Sequence, residues 1–123
     1  MIDFDNGEVF KLKPDDDYAE KVQGLLLDDE EVLGAYKSMR DGIVFTNKRL
    51  IAVNVQGITG RKKAFTSLPY RTIVAFAVET AGTLDLDCEL ELSYSSLGNV
   101  KFEFKGAVPI DAIAKSIAIH SLH

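Results

Sequence analysis

The amino-acid sequence predicts a mainly β domain of the α+β class, with about seven antiparallel strands, a short N-terminal helix and a C-terminal helix. Its 123 residues are enough for one domain and too few for two, so we expect a single domain over residues 1–123. Apolar residues make up 46% of the chain, as in globular proteins with a core. Strict alternation of apolar and polar residues from residue 84 to residue 105 indicates an antiparallel sheet with one solvent-exposed face. Together these elements predict two orthogonal sheets or a partly open barrel, with the last helix covering one end.

The first helix is predicted over about 15–27, directly after Pro14. Three consecutive aspartates begin it, where the helix dipole favours anions, and Asp15 is placed to cap the first turn. Adjacent helical residues point in different directions, so these aspartates indicate a cap and not a metal cluster. The expected apolar face consists of Tyr18, Val22, Leu25 and Leu26.

Strands are predicted from about residue 31 to 105. Turns are expected at 40–42 and 56–60, and a two-residue hairpin at Asn47–Lys48, because Asn tolerates the positive φ of a tight turn. That hairpin pairs Phe45 with Leu50. Pro69 separates a basic strand, 61–68, from an apolar strand, 73–78, since proline cannot donate into a central ladder.

The alternating segment predicts a hairpin whose register depends on its loop. A two-residue turn at Gly98–Asn99 would set apolar side chains opposite polar ones, whereas a loop over 95–99 keeps the apolar residues together. The longer loop pairs Tyr94 with Val100, Leu92 with Phe102, Leu90 with Phe104 and Glu89 with Lys105.

The C-terminal helix is predicted over about 109–120, with Pro109 in its first turn. Its apolar face consists of Ile110, Ile113, Ala114 and Ile117. Ala112 and Ile119 lie near the opposite side, so either the helix contacts something on both sides or its last turn is frayed.

The sequence contains no recognisable catalytic or metal-binding arrangement, and we expect no enzyme activity, cofactor or metal. Both histidines, His120 and His123, lie in the last four residues, where chains usually fray. Cys88 occupies an inward position of a strand and is expected to act as a small apolar residue. The alternating acids from Asp85 to Glu91 are expected to form a solvated face. A single cysteine and the lack of a leader-like start predict a cytoplasmic protein.

Charge is strongly segregated along the chain. Residues 1–35 have net charge −8, residues 36–72 have +7, and residues 73–123 have −4. The basic segment could meet anionic lipid or nucleic acid, meet an acidic patch on another copy, or be solvated or neutralised within the fold. The acidic total and the few aromatic residues among the bases argue against nucleic acid. Candidate interface or anion-contact residues are Lys37, Arg40, Lys48, Arg61, Lys62, Lys63 and Arg71, with Ile119 on the last helix.

Several short segments of the sequence together resemble the bacterial pleckstrin-homology-like (PH-like) domain family. They are Arg40-Asp41-Gly42, Phe45 to Ile51, Leu68 to Ile73, Val78 to Asp87, and Phe104-Lys105-Gly106. The resemblance extends from about residue 20 to the end and implies a seven-strand, two-sheet barrel capped by the C-terminal helix. It also implies a non-enzymatic bacterial module that assembles into closed homo-oligomeric rings. Eukaryotic relatives of this fold bind lipid headgroups through bases near the first hairpin, where this chain offers only Lys37 and Arg40.

Two functions follow from these features as hypotheses. The first is a self-assembling interaction domain, in which an acidic patch of one subunit meets the basic segment of the next and a protein partner binds the assembly. The second is a peripheral membrane module that binds anionic lipid through the basic segment 37–71 and is therefore membrane-associated.

Overall fold

A computed structural model describes residues 8–80, 82, 87–106 and 108–122, with residues 8–10 described by their backbone alone. The strands are β1 (Glu8–Pro14), β2 (Val32–Ser38), β3 (Asp41–Thr46), β4 (Arg49–Gln56), β5 (Lys62–Pro69), β6 (Ala75–Glu79), β7 (Cys88–Tyr94) and β8 (Gly98–Phe104). Two 3-10 helices, Asp16–Leu25 and Tyr70–Thr72, and one α-helix, α1 (Ile110–Ser121), complete the described elements.

The eight strands form one continuous curved sheet in the order β5-β4-β3-β2-β1-β8-β7-β6. All neighbouring pairs are antiparallel except β1 and β8, which are parallel. The sheet does not close: within the described residues, β5 and β6 are its two edges and each pairs with one strand only. The predicted mainly β fold with a C-terminal helix is confirmed.

The first strand, β1, was not predicted, because the expected strands began at residue 31. Its pairing with β8 shifts register between Val9 and Leu12, and Lys11 adopts a positive φ of 59°. This irregularity interrupts the alternation by which a strand is detected in a sequence. β1 raises the strand number to eight and introduces the parallel pair.

The main core lies on the concave side of the sheet. Tyr36, Phe45 and Phe104 meet there edge to face, with ring centroids 5.0 Å and 5.8 Å from Tyr36. The predicted C-terminal helix is confirmed as α1, which covers this core with Ile110, Ile113 and Ile117. Cys88 is buried in the same core, as its position in the alternating strand predicted.

A second, smaller core lies on the convex side, beneath the N-terminal helix. Asp15 caps this helix, accepting a hydrogen bond from the backbone N–H of Asp17 at 3.1 Å, as predicted. Tyr18 and Val22 are buried against β2–β4, which explains why β3 and β4 are buried on both faces. Leu25, predicted to lie on the same apolar face, does not pack in this core: it ends the helix and is 42% exposed, beside a surface cavity.

The β3–β4 hairpin has the predicted pairing of Phe45 with Leu50, but not for the predicted reason. Among described non-glycine residues only Lys11 and Met39 have positive φ, so Asn47 does not. Instead, the Thr46 hydroxyl accepts hydrogen bonds from two backbone N–H groups of the turn, each at 3.1 Å. Side-chain hydrogen bonds replace the left-handed turn that the sequence suggested.

The turn that the sequence placed at residues 40–42 lies one residue earlier. Met39 and Arg40 form it, with φ of 53° at Met39, while Asp41 and Gly42 already belong to β3. Glycine is required at position 42, because a Cβ there would lie 2.5 Å from the Tyr36 carbonyl oxygen.

The predicted register of the β7–β8 hairpin is wrong by two residues. The observed pairs are Tyr94 with Gly98, Leu92 with Val100, Leu90 with Phe102, Cys88 with Phe104 and Glu89 with Glu103. A three-residue turn, 95–97, closes against Gly98 at φ 81°, a geometry that glycine adopts readily. Because the shift is even, every side chain keeps its predicted face. Residues 84–86 of the predicted strand lie outside the described residues.

Candidate functional site

The free edge of β5 is basic and is called here the basic edge. It carries Arg61, Lys62 and Lys63, all exposed, at its N-terminal end. Lys63 and Phe65 pair with Val55 and Val53, so they lie on the convex face of the sheet. The structure therefore brings three of the predicted contact residues together, along a row of backbone groups that no described strand pairs.

The free edge of β6, at the other end of the sheet, is apolar and acidic and is called here the acidic edge. Phe76 and Val78 lie on the core face, opposite Leu92 and Leu90. On the convex face Glu79 lies opposite Glu89, which lies opposite Glu103 on the next strand. Three glutamates thus form a row that ends at the unpaired edge.

This row concentrates negative charge. The pKa of Glu89 is raised first by partial loss of solvent and then by the neighbouring Glu79 and Glu103, while Lys101 opposes the shift. The like charges that contribute to this shift, Glu79 and Glu103, make this surface negative. The sequence alone does not identify Glu79 or Glu103 as neighbours, because their proximity depends on the register of three strands.

A cavity of about 490 Å³, called here the helix cleft, lies where α1, the β3–β4 hairpin and the end of β5 meet. It is lined by Leu25, Leu27, Glu30, Lys48, Arg49, Pro69, Arg71 and His120. Two predicted contact residues, Lys48 and Arg71, meet here, more than 20 residues apart in the chain. Ile119, also predicted, is adjacent to His120 and is 64% exposed.

A buried ion pair forms one side of this cleft. The Glu30 side chain is fully buried, and Arg49 donates to its two carboxylate oxygens from Nε and Nη2, both at 2.9 Å. Thr46 Oγ1 donates to Glu30 Oε2 at 2.6 Å. Burial acts to raise the Glu30 pKa, but hydrogen bonds from Arg49, Thr46 and the Leu27 N–H outweigh it and lower the pKa to about 2.

Tyr70 fixes the position of Arg71 relative to the hairpin. The Tyr70 hydroxyl donates to the Thr46 carbonyl at 2.7 Å, and its backbone N–H donates to the Lys48 carbonyl at 3.1 Å. The His120 ring stacks on the Tyr70 ring with centroids 6.2 Å apart. The hairpin, the Tyr70 turn and the end of α1 are thereby held as one unit.

The remaining predicted residues lie elsewhere. Lys37 lies on β2 directly opposite Lys13 of β1. Arg40 donates from its guanidinium to the carbonyls of Gly57 and Val55, at 2.6 Å and 3.1 Å, and so ties two turns together. The eight bases of segment 36–72 are thus divided among several surfaces, and the structure gives Arg40 and Arg49 structural partners.

Within the described residues, no helix is long and apolar enough to cross a membrane. Among the same residues, no group of three or more His, Cys, Asp or Glu side chains is placed to hold a metal ion.

Residues 2–121 match the model of the family described as bacterial PH domain. The uncharacterised protein YjqA of Bacillus subtilis (strain 168) is 48% identical over 101 residues, which cover 80% of this chain and 81% of YjqA. A DUF1696 family protein with a pleckstrin-homology domain from Shewanella loihica PV-4 has a similar structure, with a TM-score of 0.74 at 39% identity, covering 93% of this chain and all of the other.

A pleckstrin homology domain from Shewanella amazonensis SB2B is also similar, with a TM-score of 0.61 at 44% identity over 87% of each chain. The family match spans nearly the whole chain, and the similar structures agree with the curved sheet and terminal helix described above. The chain therefore belongs to the bacterial PH domain family.

Proposed function

We propose that this chain is a non-enzymatic interaction module that assembles into a cyclic homo-oligomer and presents repeated copies of its surface to protein partners. One observation carries the proposal. The two free edges of the sheet, β5 and β6, carry opposite charge, with Lys62 and Lys63 on one and Glu79 on the other. One copy therefore holds both halves of a complementary contact.

The charges also select a direction and a register for this contact. Lysines begin β5 whereas the glutamate ends β6, so only antiparallel pairing brings them together. The proposed register sets Lys63 opposite Glu79, Phe65 opposite Ala77 and Ser67 opposite Ala75 of the next copy. All six residues lie on the convex face of their own sheet. In this register the sheets of two neighbouring copies therefore join with their convex faces on the same side.

Pairing of two different edges is a head-to-tail contact, which forms a closed ring when the rotation between copies allows it. In a closed ring every copy uses both edges and none is left free. The edge of β6 makes this outcome favourable, since no charged side chain precedes Glu79 in the strand and the adjoining Val74 is 68% exposed. An edge strand whose backbone groups no described strand pairs is a template for pairing with another chain.

Charge reversal at the proposed contact tests this function. We expect Lys63→Glu and Glu79→Lys each to lower the mass measured by light scattering at micromolar concentration, because each places like charges opposite one another. The double variant should regain the wild-type mass. Lys37→Glu, an equal charge change on β2, is the matched control and should leave the mass unchanged.

Circular dichroism of each variant establishes that its domain is folded. The proposal is contradicted if the single variants keep the wild-type mass, or if the double variant remains as small as the single ones.

Binding of anionic lipid by segment 37–71 is the alternative function, and it has weaker support. Its bases do not share one surface, and Arg49 and Lys48 are paired with Glu30 and Asp29. Co-sedimentation with anionic vesicles at low salt tests it separately: vesicle binding that is weakened by Lys63→Glu but not by Glu79→Lys would support it.

A further inference from the structure

The helix cleft combines an apolar wall with cations in a way that the proposed ring contact does not use. Leu25, Leu27 and Pro69 provide apolar surface, and both leucines are exposed. Lys48 and Arg71 provide positive charge. At about 490 Å³, the cavity lies within the range of roughly 300–1,000 Å³ that is usual for ligand sites.

The charges in the cleft are not equivalent. Arg49 and Glu30 neutralise each other through two hydrogen bonds, so they form a fixed wall. Lys48 Nζ lies 3.2 Å from Asp29 Oδ2, but both side chains are exposed and such a pair is weak. The Arg71 side chain is exposed, and no described residue forms a hydrogen bond or ion pair with it. A guanidinium beside an apolar surface is suited to hold a carboxylate in two hydrogen bonds.

The surroundings favour a peptide over a membrane surface. Asp28 and Asp29 follow Leu27 in the chain and are exposed, so an extended anionic plane laid over the cleft would meet negative charge. A single carboxylate entering the cavity would instead reach Arg71 and displace Asp29 from Lys48. The walls of the cleft are also held together by Tyr70, which precedes Arg71 in the chain. Its hydroxyl is hydrogen-bonded to the hairpin, and its ring stacks on the ring of His120.

We propose that the helix cleft binds an acidic, apolar peptide segment of a partner protein. Arg71 and Lys48 hold a carboxylate of that segment, and an apolar side chain beside it packs on Leu25, Leu27 and Pro69. This site specifies the partner class of the proposed interaction module but does not depend on the ring, because all its residues come from one copy.

A fluorescein-labelled acetyl-Glu-Leu-Glu-Leu-Glu peptide is the probe, and fluorescence polarisation is the measurement. We expect saturable binding that weakens with salt, and much weaker binding of Lys-Leu-Lys-Leu-Lys and Glu-Ser-Glu-Ser-Glu peptides. Arg71→Glu should weaken the acidic apolar peptide by at least about tenfold, the effect of losing one charge-assisted contact. Leu27→Ser should weaken it as well, while the matched control Lys37→Glu should leave it unchanged.

The same titration with Lys63→Glu separates this proposal from the ring: binding should persist whether or not the ring forms. Unchanged affinity in Arg71→Glu, or no saturable binding up to millimolar peptide, would overturn the proposal. It would equally be overturned if Arg71→Glu abolished binding to phosphatidylglycerol vesicles while the peptide bound neither protein.

Discussion

Glu30 and Arg49 form a two-point ion pair beneath the β3–β4 hairpin, with Nε to Oε2 and Nη2 to Oε1 both 2.9 Å. Arg49 also donates to the Leu25 carbonyl at 2.7 Å and to Ser67 Oγ at 2.9 Å. One guanidinium therefore joins the end of the N-terminal helix, the hairpin and β5. The pair explains why Thr46 and Arg49 flank this turn: both hold the same buried carboxylate.

Removal of the buried carboxylate should cost much more stability than removal of an exposed one nearby. We expect Glu30→Ala to lower the free energy of unfolding by about 3 kcal/mol, because Arg49 loses its charged partner and Thr46 its acceptor. Asp29→Ala is the matched control, since Asp29 pairs with Lys48 of the same hairpin but its side chain is 75% exposed. It should cost less than about 1 kcal/mol. Urea unfolding at pH 7 measures both, and equal costs would contradict this account.

The same carboxylate makes stability depend on pH in the acid range. The Glu30 pKa is about 2 in the folded chain against an ordinary value of 4.5, so the unfolded state takes up the proton first as pH falls. The stabilisation is fully present above about pH 4.5 and is lost as pH falls towards 2; its size is about 3 kcal/mol.

Urea unfolding of the wild type and Glu30→Gln between pH 7 and 2.5 isolates this contribution, because all other carboxyl groups are common to both proteins. We expect the difference in their free energies of unfolding to shrink as pH falls below 4.5. A constant difference across that range would show that Glu30 does not carry the effect.

Gly42 should tolerate no side chain. A Cβ there would lie 2.5 Å from the Tyr36 carbonyl oxygen and 2.6 Å from the Tyr18 ring, and the backbone oxygen cannot move aside cheaply. We expect Gly42→Ala to lower the midpoint of thermal unfolding and to cost about 1–3 kcal/mol. Gly24→Ala, where a Cβ meets nothing within 4 Å, is the control and should be neutral or slightly stabilising. Equal midpoints for the two variants would contradict this packing.

The fold could be predicted from the sequence wherever the structure follows one local rule. Alternation placed Cys88, Leu90 and Leu92 on the core face, and that assignment survived a two-residue error in register because the error was even. The pairing of Phe45 with Leu50 was also correct. The two-residue turn at Asn47 and Lys48 was placed correctly, but the expected positive φ at Asn47 was wrong. The Asn47 side chain is instead hydrogen-bonded to the backbone of Asp29 and Glu31, elsewhere in the chain.

The candidate site was harder to predict from the sequence, because it depends on the order of the strands in the sheet. Lys62 and Lys63 were selected from the basic segment, but Glu79 was not, since nothing local shows that β6 lies at an edge. Arg71 and Lys48 were selected separately as bases. The β4–β5 ladder, which pairs Arg49 with Pro69, and the hydrogen bonds from Tyr70 to the hairpin place them at one cavity.

Pairing of the two sheet edges between copies sets the mass of the wild-type protein in solution. Size-exclusion chromatography with light scattering, at low and high salt, is the measurement. If the edges pair, the protein forms one species at a fixed multiple of the 13.5 kDa chain at low salt, and high salt weakens this assembly as it weakens an ion-paired contact. A clean 13.5 kDa monomer at low salt would contradict it.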